Sequence, residues 1–248
     1  MMRDRMADPS EATDLADAVP VALTVLMPVF NERATVEQAI DRMLSADLPV
    51  ESLQLVVVDD GSIDGTREIL TGREWPEPVE VVLRDHNAGK GAALRTGLAH
   101  ARGRISTIMD ADLEYDPQDI ATLLPRLMSG ESDAVFGTRG FHSHSAYSFW
   151  YVVGNRGVTL AANVLYNSWI SDIMTCHKAI RTDLFRSLEL SEDGFAIEPE
   201  ITARLLRRGV RIYEQPISYD ARTRADGKKL TSLDGMRVLR TLIRCRIA

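Results

Sequence analysis

The chain has 248 residues, 45% hydrophobic and 26% charged, a composition that suits one large α/β domain or two small ones and excludes a disordered or fibrous chain. A formal net charge of −7 argues against non-specific nucleic-acid binding, and two cysteines far apart, Cys176 and Cys245, form no disulfide or zinc framework. No run of 18 apolar residues is present and the acidic N-terminus lacks a signal-type apolar core, so a reduced, cytoplasmic chain is expected. Residues 1–20 are polar, acidic and aperiodic and read as a mobile tail. Residues 21–30 (VALTVLMPVF) are a near-continuous apolar run, the pattern of a buried parallel strand. The next stretch, NERATVEQAIDRML, places Val36, Ile40 and Leu44 on one helical face. LQLVVVDDGS repeats strand, acid and glycine, with Ser62 or Asp64 as cap of a helix starting near Gly65. VEVVLRDH predicts a third strand, NAGKGAALRTGLAHA a glycine-containing loop entering a helix, and ISTIMDADLEYDP a fourth strand running into an acidic turn. A helix follows over residues 117–127, with Asp116 as N-cap ahead of Pro117, and SDAVFGTRG is the fifth strand.

Strands alternating with helices indicate βαβ units and a mostly parallel sheet, in which ligands bind at the carboxyl ends of the strands. Each of the five strand ends carries polar groups: Asn31 and Glu32; Asp59 and Asp60; Asn87, Gly89 and Lys90; Asp110 and Asp112; Thr138 and Arg139. Asp110, Asp112, Glu114 and Asp116 put four carboxylates within seven residues, and a divalent cation with oxygen ligands would relieve their repulsion. A solvated strand-to-helix turn is the alternative. The glycine loop has neither the G-x-x-x-x-G-K-[ST] nor the G-x-G-x-x-G spacing, which disfavours a P-loop and a dinucleotide site. Gly89 and Gly91 allow close backbone approach, and Lys90 either faces a phosphate or is a surface lysine.

The second half is less regular. Phe149, Trp150, Tyr151 and Trp169 fit an acceptor wall, a membrane-facing helix pair or plain core. His142 and His144 read as solvated loop residues. DIMTCHKAIRTDLF contains Asp172, Thr175 and Lys178, and GFAIEPEITARLLRRG sets Glu198 and Glu200 at a helix start, where the dipole favours carboxylates. RIYEQPISYD reads as a strand broken by Pro216. ARTRADGKKLT is basic, with Arg222, Arg224, Lys228 and Lys229, and the last stretch is a basic amphipathic helix that either packs on the domain or lies on an anionic membrane.

The ordered motifs VLMPVFNE, VVVDDGSIDGT, NAGKGAALRTG, DADLEYDP, FGTRG, DIMTCHK, GFAIEPEITARLLRRG and ARTRADGKKL resemble those of a family 2 glycosyltransferase of the GT-A fold, nearest the dolichyl- or polyprenyl-phosphate mannose and glucose synthase branch. The resemblance covers about residues 21–234. It implies a Rossmann-like, mostly parallel central sheet flanked by helices, with a nucleotide-sugar-binding half at residues 21–140 and a smaller acceptor-binding half at 141–248, in one continuous domain. It implies a nucleotide-sugar donor of GDP-mannose or UDP-glucose type, Mg²⁺ or Mn²⁺, and inversion at the anomeric carbon. Pro28, Phe30, Glu32, Asp59 and Asp60 match positions bordering the donor nucleoside. Asp110 and Asp112 match the metal motif, with Ala111 between them on the donor side, and Glu114 occupies the next ligand position, where mannose synthases often carry Gln. Arg139, Arg222 and Lys228 match basic positions for phosphates, with Lys90 beside them, and Glu198 matches a position near the acceptor.

Metal and fixed cations would stabilise a nucleoside diphosphate leaving group without proton transfer. A polyprenyl phosphate acceptor is already an anionic nucleophile. A hydroxyl acceptor needs a base, for which Glu198 is the candidate, so Asp112, Glu198 and Arg139 form the expected catalytic set. A soluble acceptor, a non-catalytic nucleotide-sugar-binding module and a nucleotidyltransferase are the competing readings. Peripheral contact with the inner membrane face and a homodimer complete the expectations.

Overall fold

The structure, a computed structural model, describes residues 22–140, 149–222 and 232–247. The expected tail at 1–20, His142, His144, Arg224, Lys228 and Lys229 lie outside the described residues. The first half follows the reading in chain order: β1 (Leu23–Val29), α1 (Val36–Leu44), β2 (Leu53–Asp59), α2 (Thr66–Thr71), β3 (Val79–Leu83), α3 (Lys90–His100), β4 (Ile105–Ile108), α4 (Ile120–Met128) and β5 (Ala134–Arg139). The second half adds α5 (Phe149–Tyr166), β6 (Lys178–Arg181), α6 (Thr182–Ser187), α7 (Ile197–Arg207), β7 (Ile212–Ile217) and α8 (Ser232–Ile247).

Among the described residues the strands form one sheet in the order β3-β2-β1-β4-β6-β5-β7. β1 pairs in parallel with β2 and β4, and β2 with β3. The sequence reading has no counterpart to β6. Only four residues long, it runs antiparallel to both neighbours, pairing Thr107 with Ala179 on β4 and Phe136 with Lys178 on β5. Because β6 is reversed, β5 again runs parallel to β4, and Arg139 ends at the same sheet edge as Asp110. The N-terminus of β6 brings Lys178 to that edge as well. β7 is not broken at Pro216: it pairs with β5 through Thr138↔Pro216 and Arg139↔Ile217. At the outer edge of the sheet a missing N–H costs no ladder bond, so proline is tolerated there.

The two-residue period of a strand divides β2 between two apolar layers. Leu55 and Val57 face the side covered by α1 and α4, with Val36, Ile40, Leu123 and Leu124. Val56 and Val58 face the side covered by α3, α6 and α7, with Leu94, Leu98, Phe185 and Ile201. Val36, Ile40 and Met43 on α1 are fully buried, at about 1.5–3 kcal/mol for each side chain. A third cluster ties α5, α7 and α8 together through Ala162, Ala203, Val238 and Leu242. Asp116 caps the turn at Pro117–Asp119 through a 3.0 Å bond from the Gln118 N–H to Oδ1. Of the two expected caps for α2, Asp64 takes the role: the helix starts at Thr66, just after Gly65, and the Asp64 Oδ1 accepts the Thr66 N–H at 3.0 Å. No described helix is long and apolar enough to cross a membrane.

Candidate active site

A cleft of about 340 Å³ opens at the carboxyl edge of the sheet. Pro28 and Phe30 from β1 and its exit line one wall, with Glu32 beyond them. Asp60, Lys90, Asp110, Ala111, Asp112 and Glu114 line the floor, and Arg139, Glu198 and Arg222 come in from the second half. Asp59 does not line it. Adjacent acids at the end of β2 point to opposite sides of the strand, and Asp59 turns inward: its Oδ2 accepts from Arg67 Nε at 2.7 Å and its Oδ1 from the Ser62 N–H at 3.2 Å. Asp60 lies against Arg84 at 3.0 Å and accepts the Gly89 N–H at 2.6 Å.

The glycine loop does not cradle a phosphate with its backbone. The Gly91 and Ala92 N–H groups, at the start of α3, both donate to the Asp193 carbonyl at 2.6 and 3.1 Å. A Cβ on Gly91 would lie 2.1 Å from the Glu192 carbonyl oxygen, and Gly89 has φ +103° with a Cβ position 2.5 Å from the Asp193 carbonyl. The glycines therefore admit the 192–194 loop, while Lys90 is the group that faces the cleft.

Lys90 Nζ lies 2.8 Å from Asp110, 3.0 Å from Glu198 Oε1 and 3.0 Å from Cys176 Sγ. Burial works against its charge, but Asp110, Cys176 and Glu198 hold its pKa well above the usual lysine range. Glu198 Oε2 in turn accepts from Lys178 Nζ at 2.5 Å. Lys178 has no exposed surface and also donates to the Ile173 and Thr175 carbonyls. The result is a chain of alternating charge, Asp110–Lys90–Glu198–Lys178, running from the acidic turn into the second half. The sequence places Lys178 in the DIMTCHK motif without assigning it a role. Its signal was a lysine placed directly before the apolar pair Ala179 and Ile180. Glu200, two residues from Glu198, has a structural role: it accepts the Ser191 and Glu192 N–H groups and pairs with Arg204.

The three acids of the turn have different surroundings. Burial raises the pKa of Asp110, but Lys90 outweighs it and the net shift is downward. Asp112 has no ion pair among the described residues. Burial first, then the charges of Asp110 and Glu114, push it up to about 7. Both Glu114 oxygens are engaged: Oε2 accepts from Tyr219 Oη at 2.6 Å and Oε1 from the Arg222 N–H at 2.7 Å. Glu114 thus latches residues 219–222 over the turn. Arg222 Nη1 pairs with Glu32 at 3.0 Å, and its buried Nη2 has no hydrogen-bond partner among the described residues.

Among the described residues no group of three or more His, Cys, Asp and Glu is arranged to hold a metal ion. The donor set nevertheless fits a cation held mainly by a substrate diphosphate. Asp112 is a half-buried carboxylate set against the like charges of Asp110 and Glu114, with no ion pair of its own among the described residues, and Mg²⁺ or Mn²⁺ takes such oxygen ligands beside phosphates. Arg139, at the end of β5, is 5% exposed and grips Asp172 by two bonds, Nε–Oδ2 at 2.6 Å and Nη2–Oδ1 at 2.9 Å. Its Nη1 reaches Tyr151 Oη at 3.2 Å, and Asn155 donates to Asp172 at 3.1 Å. Burial raises the pKa of Asp172, but Arg139 and Asn155 bring it below the usual range.

A mostly parallel sheet with acids and cations gathered at its carboxyl edge defines an α/β protein of the kind that binds ligands there. The chain belongs to glycosyl transferase family 2, whose model matches residues 24–189, and it has the GT-A fold. It is similar to a dolichol-phosphate mannosyltransferase of Pyrococcus furiosus, 28% identical over 210 residues, which cover 83% of this chain and 58% of the relative. It is also similar to glycosyltransferase AglJ of Haloferax volcanii, 30% identical over 221 residues, with 88% and 68% covered. The chain therefore spans less than two thirds of the Pyrococcus relative. Among solved structures, glucosyl-3-phosphoglycerate synthase from Mycobacterium tuberculosis, in complex with Mn²⁺, UDP and glucosyl-3-phosphoglycerate, superposes with a TM-score of 0.68 at 22% identity, covering 91% of this chain and 80% of that one. The same enzyme has also been solved with Mg²⁺ and UDP.

Proposed function

We propose that the protein is an inverting, metal-dependent hexosyltransferase that moves a hexose from a nucleotide-sugar of GDP-mannose or UDP-glucose type to a polyprenyl or dolichyl phosphate. Glu198 carries the choice of acceptor. Its carboxylate bridges Lys90 and Lys178 and so serves as a counter-ion in the cleft. A hydroxyl acceptor would require a base, whereas a phosphate monoester arrives as a nucleophile.

In this reading residues 21–140 hold the donor and residues 141–248 the acceptor. Pro28, Phe30, Glu32 and Asp60 border the nucleoside, and Asp59 supports them from behind. Asp112 would hold the divalent cation. Asp110 shares its charge with Lys90, and Glu114 positions Arg222. When bound, the cation supplies electrostatic stabilisation of the departing diphosphate. Lys90 and Arg222 add fixed positive charge on either side of that diphosphate, in a buried site where such charge acts strongly. Arg139, pinned in orientation by Asp172, faces the acceptor phosphate. Lys228 belongs to the same basic set by sequence alone.

The test is a donor panel with polyprenyl phosphate and with small hydroxyl acceptors, each with and without Mg²⁺ or Mn²⁺. Metal-dependent transfer to the lipid phosphate is expected. Glu198→Gln should weaken this transfer without abolishing it. Transfer confined to hydroxyl acceptors and lost in Glu198→Gln would overturn the acceptor assignment and make Glu198 the base.

A further inference from the structure

Helices α5 and α8 pack on each other through Val158, Ala162, Val238 and Leu242, and Tyr166 Oη donates to the Leu242 carbonyl at 2.8 Å. Each leaves an apolar stripe facing out. On α5, Phe149, Val153, Leu160 and Val164 recur at spacings of four, seven and four residues, and Leu160 and Val164 are 64% and 73% exposed. On α8, Met236, Ile243 and Ile247 do the same. Trp169, just past α5, is 88% exposed. Scattered apolar side chains on a surface mean little; two packed helices with matching stripes mean more.

The charges on this pair are almost all of one sign. Across α5 and α8 the charged residues are Arg156, Arg237, Arg240, Arg244 and Arg246 against the single acid Asp234, on a chain whose formal net charge is −7. Arg244 is paired with Glu192 of a neighbouring loop at 2.8 Å, and Arg246 lies over the Tyr166 ring. We propose that the outer faces of α5 and α8 form a docking surface for an anionic lipid bilayer. Charge selects this occupant over a second copy of the chain. A two-fold dimer through this face would bring its basic residues together, whereas an anionic surface complements the basic excess. Apolar residues flanked by arginine are the pattern of a helix lying in a membrane interface. The surface also adjoins the cleft, since α5 supplies Tyr151 and Asn155 to the Arg139–Asp172 pair.

The proposal stands apart from the acceptor reading, because vesicle binding is measured without turnover. The full chain is sedimented with phosphatidylcholine vesicles, with or without phosphatidylglycerol, at low and high salt. Partition onto the anionic vesicles should exceed that onto neutral ones by about tenfold or more and fall with salt. Arg240→Glu should lower it by about tenfold, and Leu160→Glu with Val164→Glu should abolish it. These side chains are exposed, so unchanged unfolding temperatures confirm that the fold is retained. Equal partition onto both vesicle types, no partition by the unaltered chain, or full binding by the charge or stripe variants would overturn the proposal. So would a dimer in solution that the stripe variant dissociates.

Discussion

The Lys178–Glu198 pair gives the sharpest test of the site's electrostatics. Both side chains are almost fully buried, their charged atoms are 2.5 Å apart, and Lys178 is further surrounded by two carbonyls and the Phe136 ring at 5.1 Å. Removing one partner of such a pair leaves the other buried and uncompensated, at about 3 kcal/mol or more. Lys178→Met keeps the length of the stem and removes the ammonium. Glu198→Gln keeps the shape and removes the negative charge. Each single change should lower the unfolding temperature by about 6–12 °C, taking ~2–4 °C per kcal/mol for a chain of this size. The double variant, with both charges gone, should be no less stable than either single one, which gives a coupling energy of about 3 kcal/mol. Thermal unfolding of the four proteins, in EDTA to remove bound cations, measures this directly. Single variants within about 0.5 kcal/mol of the parent, or effects that simply add, would refute the alternating-charge chain as an energetic unit. Lys90 would then satisfy Glu198 by itself.

Gly91→Ala should destabilise by about 3 kcal/mol, because the 192–194 loop must retreat and two N–H bonds to the Asp193 carbonyl are strained; chemical denaturation reads this as a lower midpoint at an unchanged slope. Asp112→Asn should eliminate Mn²⁺-dependent donor turnover while leaving the fold intact, which is checked by titrating metal into a donor-hydrolysis assay. His177 is fully buried, stacks on Tyr115 at 4.6 Å, and has no described hydrogen-bond partner at either ring nitrogen. Burial, opposed by Asp110 and Asp116, lowers its pKa from 6.5 to about 4. The unfolded chain therefore takes up this proton first, and stability is lost as pH falls from 6.5 toward 4, by about 3 kcal/mol in all. His177→Phe should be near neutral at pH 8 and should remove this loss. Asp112, with its raised pKa, works in the opposite direction over an overlapping range, so the comparison is the difference between variant and parent across a pH series of unfolding curves.

How much was legible in the sequence depended on how local the signal was. The apolar runs ending in Asp59, Asp110 and Arg139 gave their strands away, and with them the sheet edge where the site lies. The strand Lys178–Arg181 is only four residues long and starts with a buried lysine, so it has neither the length nor the pattern that marks a strand. Its place between β4 and β5 is a long-range choice that no window contains. The same limit applies to the paired acids of β2. Asp59 and Asp60 are equivalent as text, and only Arg67 on one side and Arg84 on the other assign one to the frame and one to the cleft. Glu114 drew attention as an added charge in the acidic turn. Its latch on Tyr219 and Arg222 spans more than 100 positions and needed the fold to be seen.

The reversed strand β6 also bears on how the chain is made. During synthesis β1 to β4 can pair with one another as they emerge, but β5 has no partner yet. Its neighbours begin at Lys178 and Ile212, well downstream of Arg139, where β5 ends. Until β6 arrives, the fully buried side of β4 is an open sheet edge, and such edges invite pairing with other chains. The order of translation therefore leaves one interval in which this protein is most exposed to aggregation or to a chaperone. That interval closes when four residues, among them the lysine that neutralises Glu198, slide into the middle of the sheet.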